Sequence, residues 1–196
     1  MRALSSLLAL GLIGLPSAAF AHTGVGTHDL VHGFMHPIGG LDHILAMVAV
    51  GVFAFVLGSH ALWLVPLSFV GMMTVGFALG ANGITLPYAE LAIALSSIVI
   101  GGVAALGRRM PVVAAIALVG GFATFHGWAH GAEMPADAGA LTYALGFVAA
   151  TALLHVAGIA AAMGVAAATG KYGRTIAQVA GGAFALGGLG VLAGWL

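Results

Sequence analysis

Six apolar runs dominate the chain, and their length decides what it can fold into. They cover about Leu41–Leu57, Leu62–Leu79, Tyr88–Leu106, Pro111–His130, Leu141–Ala162 and Thr175–Leu196. Each is close to the roughly 20 residues that carry a helix across the hydrocarbon of a bilayer. Short turn signals separate them: Ser59-His60, Ala81-Asn82-Gly83, Gly107-Arg108-Arg109, a loop with Glu133, Pro135 and Asp137, and Gly170-Lys171-Tyr172-Gly173-Arg174. Pro111 stands where a proline suits the first turn of a helix. Composition closes off the soluble alternative, because 62% of residues are hydrophobic and only 5% are charged, against about 25% charged in a globular domain. The 32 glycines fit membrane helices whose backbones approach closely. The expected fold is an all-α membrane protein with six transmembrane helices in one bundle.

A shorter apolar run precedes them. Arg2 supplies a positive start, Leu4–Leu15 an apolar core, and Ala19-Phe20-Ala21 a small-x-small cleavage site. That is the layout of a cleavable secretory signal peptide. The predicted organisation is therefore 1–21 signal peptide, 22–40 a histidine-rich periplasmic segment, and 41–196 the six-helix transmembrane domain. Orientation follows from charge. With His22 outside, Arg2, Arg108, Arg109, Lys171 and Arg174, every Lys and Arg in the chain, fall on the cytoplasmic side, as the positive-inside rule requires. The expectation is a multi-pass protein of a bacterial inner membrane with both mature termini in the periplasm.

Other classes are excluded by what the sequence lacks. It has no cysteine, hence no disulfide framework, iron–sulfur cluster or thiolate zinc site. Five basic residues balance five acidic ones without a basic run, so nucleic acid is not a partner. No phosphate-binding loop or catalytic triad is present, and the chain is not expected to be an enzyme. Trp63, Trp128 and Trp195 lie near predicted span ends as interfacial anchors.

Chemistry concentrates in two places. His28–His43 packs four histidines and two aspartates into sixteen residues ahead of the first apolar run. Asp29, His32 and His36 would share one face of a short helix. Pro37 and Gly39-Gly40 would break or bend it. If the helix continues, His36 aligns with His43; if it kinks, the loop must fold back to bring them together. Asp42 and His43 stand at the mouth of the first span, with Met47 one turn deeper. The second place is Phe125–Glu133. His126 and His130 are one turn apart on one face, Glu133 follows three residues later, and Gly127 and Gly131 leave room for a neighbouring helix.

Imidazole nitrogens with a few carboxylates suit late divalent transition metals, and ionisable groups within spans mark ion pathways. The candidate metal ligands are His36, Asp42, His43, His126, His130 and Glu133. His22, His28, Asp29, His32, Met47, Glu90 and His155 are candidate accessory ligands or relays. His155 is the deepest, roughly 20 Å along its span, and His60 reads as a solvated turn residue. These residues leave open a metal permease, a non-transporting metal-binding or assembly factor, and haem electron transfer through paired histidines; an intramembrane hydrolase fits least.

The stretch His36-Pro37-Ile38-Gly39-Gly40-Leu41-Asp42-His43, continuing to Met47 and Val50-Gly51, closely resembles the hallmark of the HupE/UreJ family of small bacterial membrane proteins. Phe125-His126-Gly127 to His130-Gly131-Ala132-Glu133 resembles that family's second block, and the leader followed by His22-Thr23-Gly24 is similar to its members as well. The resemblance spans essentially the whole chain. It implies a permease for Ni²⁺, or for Co²⁺, that supplies a hydrogenase or urease. His36, Asp42 and His43 would be the functional positions of the first block, and His130 and Glu133, with His126 beside them, those of the second. It further implies no permanently bound cofactor, with the divalent ion as cargo, and partners limited to the metal ion, the lipid bilayer and nickel-enzyme maturation proteins.

Overall fold

Gly40 divides the histidine-rich stretch into two helices. In the computed structural model, which describes residues 27–196, α1 covers Thr27–Gly39 and continues through Pro37. Gly40 is extended (φ −102°, ψ 121°), and α2 (Leu41–Leu57) starts beyond it, bent 83° from α1. The remaining helices are α3 (Ala61–Ala81), α4 (Ala89–Leu106), α5 (Val112–Ala132), α6 (Ala140–Thr169) and α7 (Gly173–Leu192), with a 3₁₀ turn at Gly170–Tyr172. All regular structure among the described residues is helical. The signal peptide expected at 1–21 and His22 lie outside those residues.

Four stretches are long and apolar enough to cross a membrane: Ala61–Ala81, Ala89–Leu106, Val112–Ala132 and Ala140–Leu192. The last contains 53 residues and is interrupted at Gly170, whose φ of +56° takes the chain out of helical geometry. The bent α1–α2 pair would make a fifth. Large apolar side chains such as Trp63, Leu67, Leu141 and Leu186 face outward, as they should in a bundle whose solvent is lipid rather than water.

Glycine decides which helices touch. A Cβ at Gly76 or Gly80 would strike the backbone of α5, and one at Gly127 or Gly131 the backbone of α3. These four positions let α3 and α5 lie side by side, running in the same direction. Gly51 and Gly158 do the same for α2 and α6, again parallel, and Gly33 and Gly146 for α1 and α6. Gly101 and Gly181 join α4 to α7 in antiparallel sense. Such close approach is the usual basis of packing where no hydrophobic effect drives helices together. Because α1 and α2 both seat on α6, the 83° bend between them is held from one side. The helices thus alternate, α2, α4 and α6 running one way and α3, α5 and α7 the other.

Charge is sorted by end. Asp29, Asp42, Glu90, Glu133 and Asp137 all stand where α1, α2, α4 and α6 begin and α5 ends. Arg108, Arg109, Lys171 and Arg174 lie in the turns at the opposite end, where Arg174 Nη2 donates to the Gly107 carbonyl at 3.1 Å and ties two of those turns together.

Candidate functional site

The first and second histidine blocks, some ninety residues apart in sequence, meet at the acidic end of the bundle. The His36 ring centroid lies 4.9 Å from that of His130 and 6.4 Å from that of His43. His43 in turn lies 4.9 Å from His126 and 5.1 Å from His130. The four rings form one connected cluster contributed by α1, α2 and α5. The helix runs on through Pro37, and the bend at Gly40, not at the proline, brings His36 back over His43. Gly127 and Gly131 serve a different neighbour from the helices that carry the other histidines of the cluster: the backbone they admit is that of α3, which contributes none of the candidate ligands. By fixing α5 on α3, they leave His126 and His130 free to face α1 and α2.

Hydrogen bonds fix which nitrogens are available. Asp42 Oδ1 accepts from the His43 backbone N–H at 2.9 Å and lies 3.0 Å from His43 Nδ1. The carboxylate accepts, so Nδ1 carries the proton, and the buried Nε2 has no partner. Ser96 Oγ donates to the Ile93 carbonyl at 2.6 Å and lies 2.9 Å from His126 Nε2. With its single proton spent, the hydroxyl accepts from Nε2–H, which leaves the lone pair on His126 Nδ1, also buried and unpartnered. Holding one imidazole nitrogen to expose the lone pair of the other is how outer hydrogen bonds prepare metal-binding histidines. His130 is fully buried, with neither ring nitrogen partnered, and its ring stacks on Phe147 at 4.8 Å. At the rim, His36 Nε2 lies 3.1 Å from Glu133 Oε2.

A cavity of about 460 Å³ opens above this cluster, lined by His32, Met35, His36, Asp42, His43 and Glu133 together with Gly39 and Gly40. Among the described residues, no three His, Asp or Glu side chains are already gathered round one point. The His36–His43, His36–His130 and His43–His126 rings meet edge to face, and the His43–His130 pair is tilted at 60°.

The accessory candidates divide. His32 lines the cavity and lies 6.0 Å from the Tyr143 ring. Asp29 accepts from the Gly139 N–H at 2.9 Å, pinning the start of α1 to the α5–α6 loop. Met47 is fully buried in the core, beneath His43. His28 and Glu90 are exposed and line no part of the cavity. His155 is buried on α6, its ring 4.9 Å from that of Phe69. His60 is exposed beside Ser59. Trp128, expected as an interfacial anchor, donates from Nε1 to the Ile84 carbonyl at 2.5 Å, tying α5 to the α3–α4 turn. Ser96, Tyr143 and Phe147 complete the surroundings and are not among the residues the sequence singles out. The polar pair Ser96-Ser97 inside an apolar span was the one available sign.

Comparison with known proteins places nearly the whole chain in a family. The family model described as HupE / UreJ protein matches residues 9–191. Protein HupE of Rhizobium leguminosarum bv. viciae is 46% identical over 185 residues, covering 94% of this chain and 95% of that protein. No solved structure matches.

Proposed function

The chain belongs to the HupE/UreJ family, and on that footing we propose that it takes up a divalent transition metal ion, Ni²⁺ in first place and Co²⁺ in second, across a bacterial inner membrane. Family membership makes it a transport protein rather than an enzyme. The observation that carries the proposal is the pair of histidines, His43 and His126, their rings 4.9 Å apart, each held through one nitrogen while the other is buried and bare.

The finer topology is six passes formed by α2 to α7, following a signal peptide, with α1 folded over the outer mouth. The alternating helix directions and the separation of acids from bases support it. Positive-inside sorting puts the end with Arg108, Arg109, Lys171 and Arg174 in the cytoplasm and the cavity in the periplasm.

Uptake then proceeds inward. A hydrated ion enters the cavity, where the carboxylates of Asp42 and Glu133 attract it and offset part of its dehydration. Its arrival breaks the His36–Glu133 contact, freeing both groups as ligands. His130, His43 Nε2 and His126 Nδ1 replace further waters as the rings rotate. Neutral imidazoles suit the late divalent metals and hold them without accumulating charge, so the ion binds weakly enough to move on. Past the cluster and His155 the core is hydrocarbon, with Phe53, Val65, Ile100, Ala104 and Val119 closing the way to the basic end. Release requires those helices to part. The ion is delivered to a nickel enzyme, a hydrogenase or urease, by way of its maturation proteins.

Flux into proteoliposomes tests this, with Ni²⁺, Co²⁺ and Zn²⁺ compared for the wild type and His43→Ala. Selective Ni²⁺ entering wild-type vesicles and not the variant is the expected result. Ni²⁺ bound without flux would instead make the protein a membrane metal-binding factor.

A further inference from the structure

Besides Tyr143, whose ring packs near His36 and Phe147 around the cluster, the fully buried polar side chains among the described residues are Ser96, Ser97, His126, His130, Thr151 and His155. Ser96, His126 and His130 belong to the cluster above, and the Ser97 hydroxyl is satisfied by the Ala94 carbonyl at 3.2 Å. Thr151 and His155 remain, one turn apart on the same face of α6. The Thr151 hydroxyl donates to Met73 Sδ at 3.6 Å. Neither ring nitrogen of His155 has a partner. An imidazole held this way costs its desolvation and returns no hydrogen bond, and nothing in the packing of α6 calls for one where Leu or Phe would fill the space.

Its position suggests what it is for. The backbone of α2 meets His155 at Gly51, eight residues beyond His43 and so about 12 Å further along the helix. The Phe69 ring touches both His155 and the cluster, 4.9 Å from His155 and 5.5 Å from His126. Beyond His155 no other histidine or carboxylate among the described residues is buried; the core there is Phe53, Val65, Ile100 and their neighbours. A divalent ion leaving His126 therefore meets one further donor before the hydrocarbon seal.

We propose that His155 is a second, inner station for the transported ion, receiving it from His126 past Phe69, with the Thr151 hydroxyl bonding to the waters the ion retains. The inference rests on the uptake reading above and adds a site to it. A single neutral imidazole with retained water binds weakly and exchanges quickly, which suits a halfway point better than a resting site.

The test uses the full chain in proteoliposomes with His155→Phe and His155→Cys, the latter introducing the sole thiol in a chain without cysteine. Ni²⁺ titration of the detergent-solubilised proteins reports the outer cluster, and initial rates with Ni²⁺ and Cd²⁺ report passage. His155→Phe should bind Ni²⁺ as the wild type does while its Ni²⁺ flux falls about tenfold or more, the lower end of what losing a metal-site residue costs. His155→Cys should recover flux and raise the Cd²⁺/Ni²⁺ rate ratio several-fold, thiolate being the softer donor. Wild-type flux in His155→Phe, an unchanged ion ratio in His155→Cys, or loss of Ni²⁺ binding in His155→Phe would each make the residue a packing element and overturn the station. Wild-type vesicles that admit no ion would overturn the uptake reading itself, and the station with it.

Discussion

Around His43 the bundle is crowded with donors; around Phe53 and Val65, three turns further on, it is sealed hydrocarbon. The acidic end gathers all five carboxylates and a cluster of four imidazoles beneath an open cavity. The basic end carries four cations in its turns and at the start of α7, and between them and the cluster the buried core is apolar except for Thr151 and His155 on α6 and Ser97 on α4. Under the proposed function, two regions made from the same helices have opposite jobs, one to admit and dehydrate an ion, the other to hold the membrane shut. The contrast identifies the conformation as open on one side and closed on the other, and it makes separable predictions.

The sharpest break is at Asp42. Asp42→Ala removes the acceptor that keeps the proton on His43 Nδ1, so His43 loses its fixed bare nitrogen. Ni²⁺ uptake should fall about a hundredfold, at the top of the range for losing a histidine's outer partner together with a carboxylate, while membrane levels of the protein stay unchanged. Uptake at wild-type rate would detach the cluster from transport.

Gly127→Val strikes the contrast from the structural side. Its Cβ meets the Met73 carbonyl, so α3 and α5 must separate, and the yield of monodisperse protein after solubilisation should collapse. Gly71 on α3 has nothing within 4 Å of an added Cβ, and Gly71→Val should be recovered normally. Equal yields from both variants would mean the α3–α5 seam does not hold the site.

Ser96→Ala is a finer probe, because it leaves every candidate ligand in place and frees only the His126 tautomer. Ni²⁺ affinity should weaken by about tenfold, measured by titration in detergent, with the unfolding midpoint little changed. Affinity unaltered by this substitution would show that the Ser96 bond does not choose the His126 donor.

The smallest effect belongs to the basic end. Arg174→Gln loses one exposed hydrogen bond to the Gly107 carbonyl, and three cations remain to hold orientation. Uptake should stay within about twofold of wild type, as expected for a single surface charge contact. A large loss there would mean that the basic turns take part in releasing the ion.

Much of this was legible in one dimension. The apolar runs, the acids and bases sorted to alternate turns, and the two histidine blocks are linear patterns. Leu41–Leu57 is a helix over the very span its hydropathy marks, and His126 and His130 share a face by period alone. What pattern could not give is which helix lies beside which. Gly127 and Gly131 announce a close neighbour without naming α3, and of Pro37 and Gly39-Gly40, all marked as breakers, only the structure shows that the helix runs through the proline and bends at Gly40. Ser96 and Tyr143 look like ordinary span residues until His126 and His36 are brought against them.

The sequence by itself determined a helical membrane bundle, its charge asymmetry and the chemistry of its donors, because period, hydropathy and residue type are local properties. Tertiary structure alone decided that blocks ninety residues apart share one cavity, which nitrogen of His43 and His126 is bare, and that His155 stands unpartnered before the seal. Those depend on backbone approach and on hydrogen bonds between helices, and no local signal encodes them.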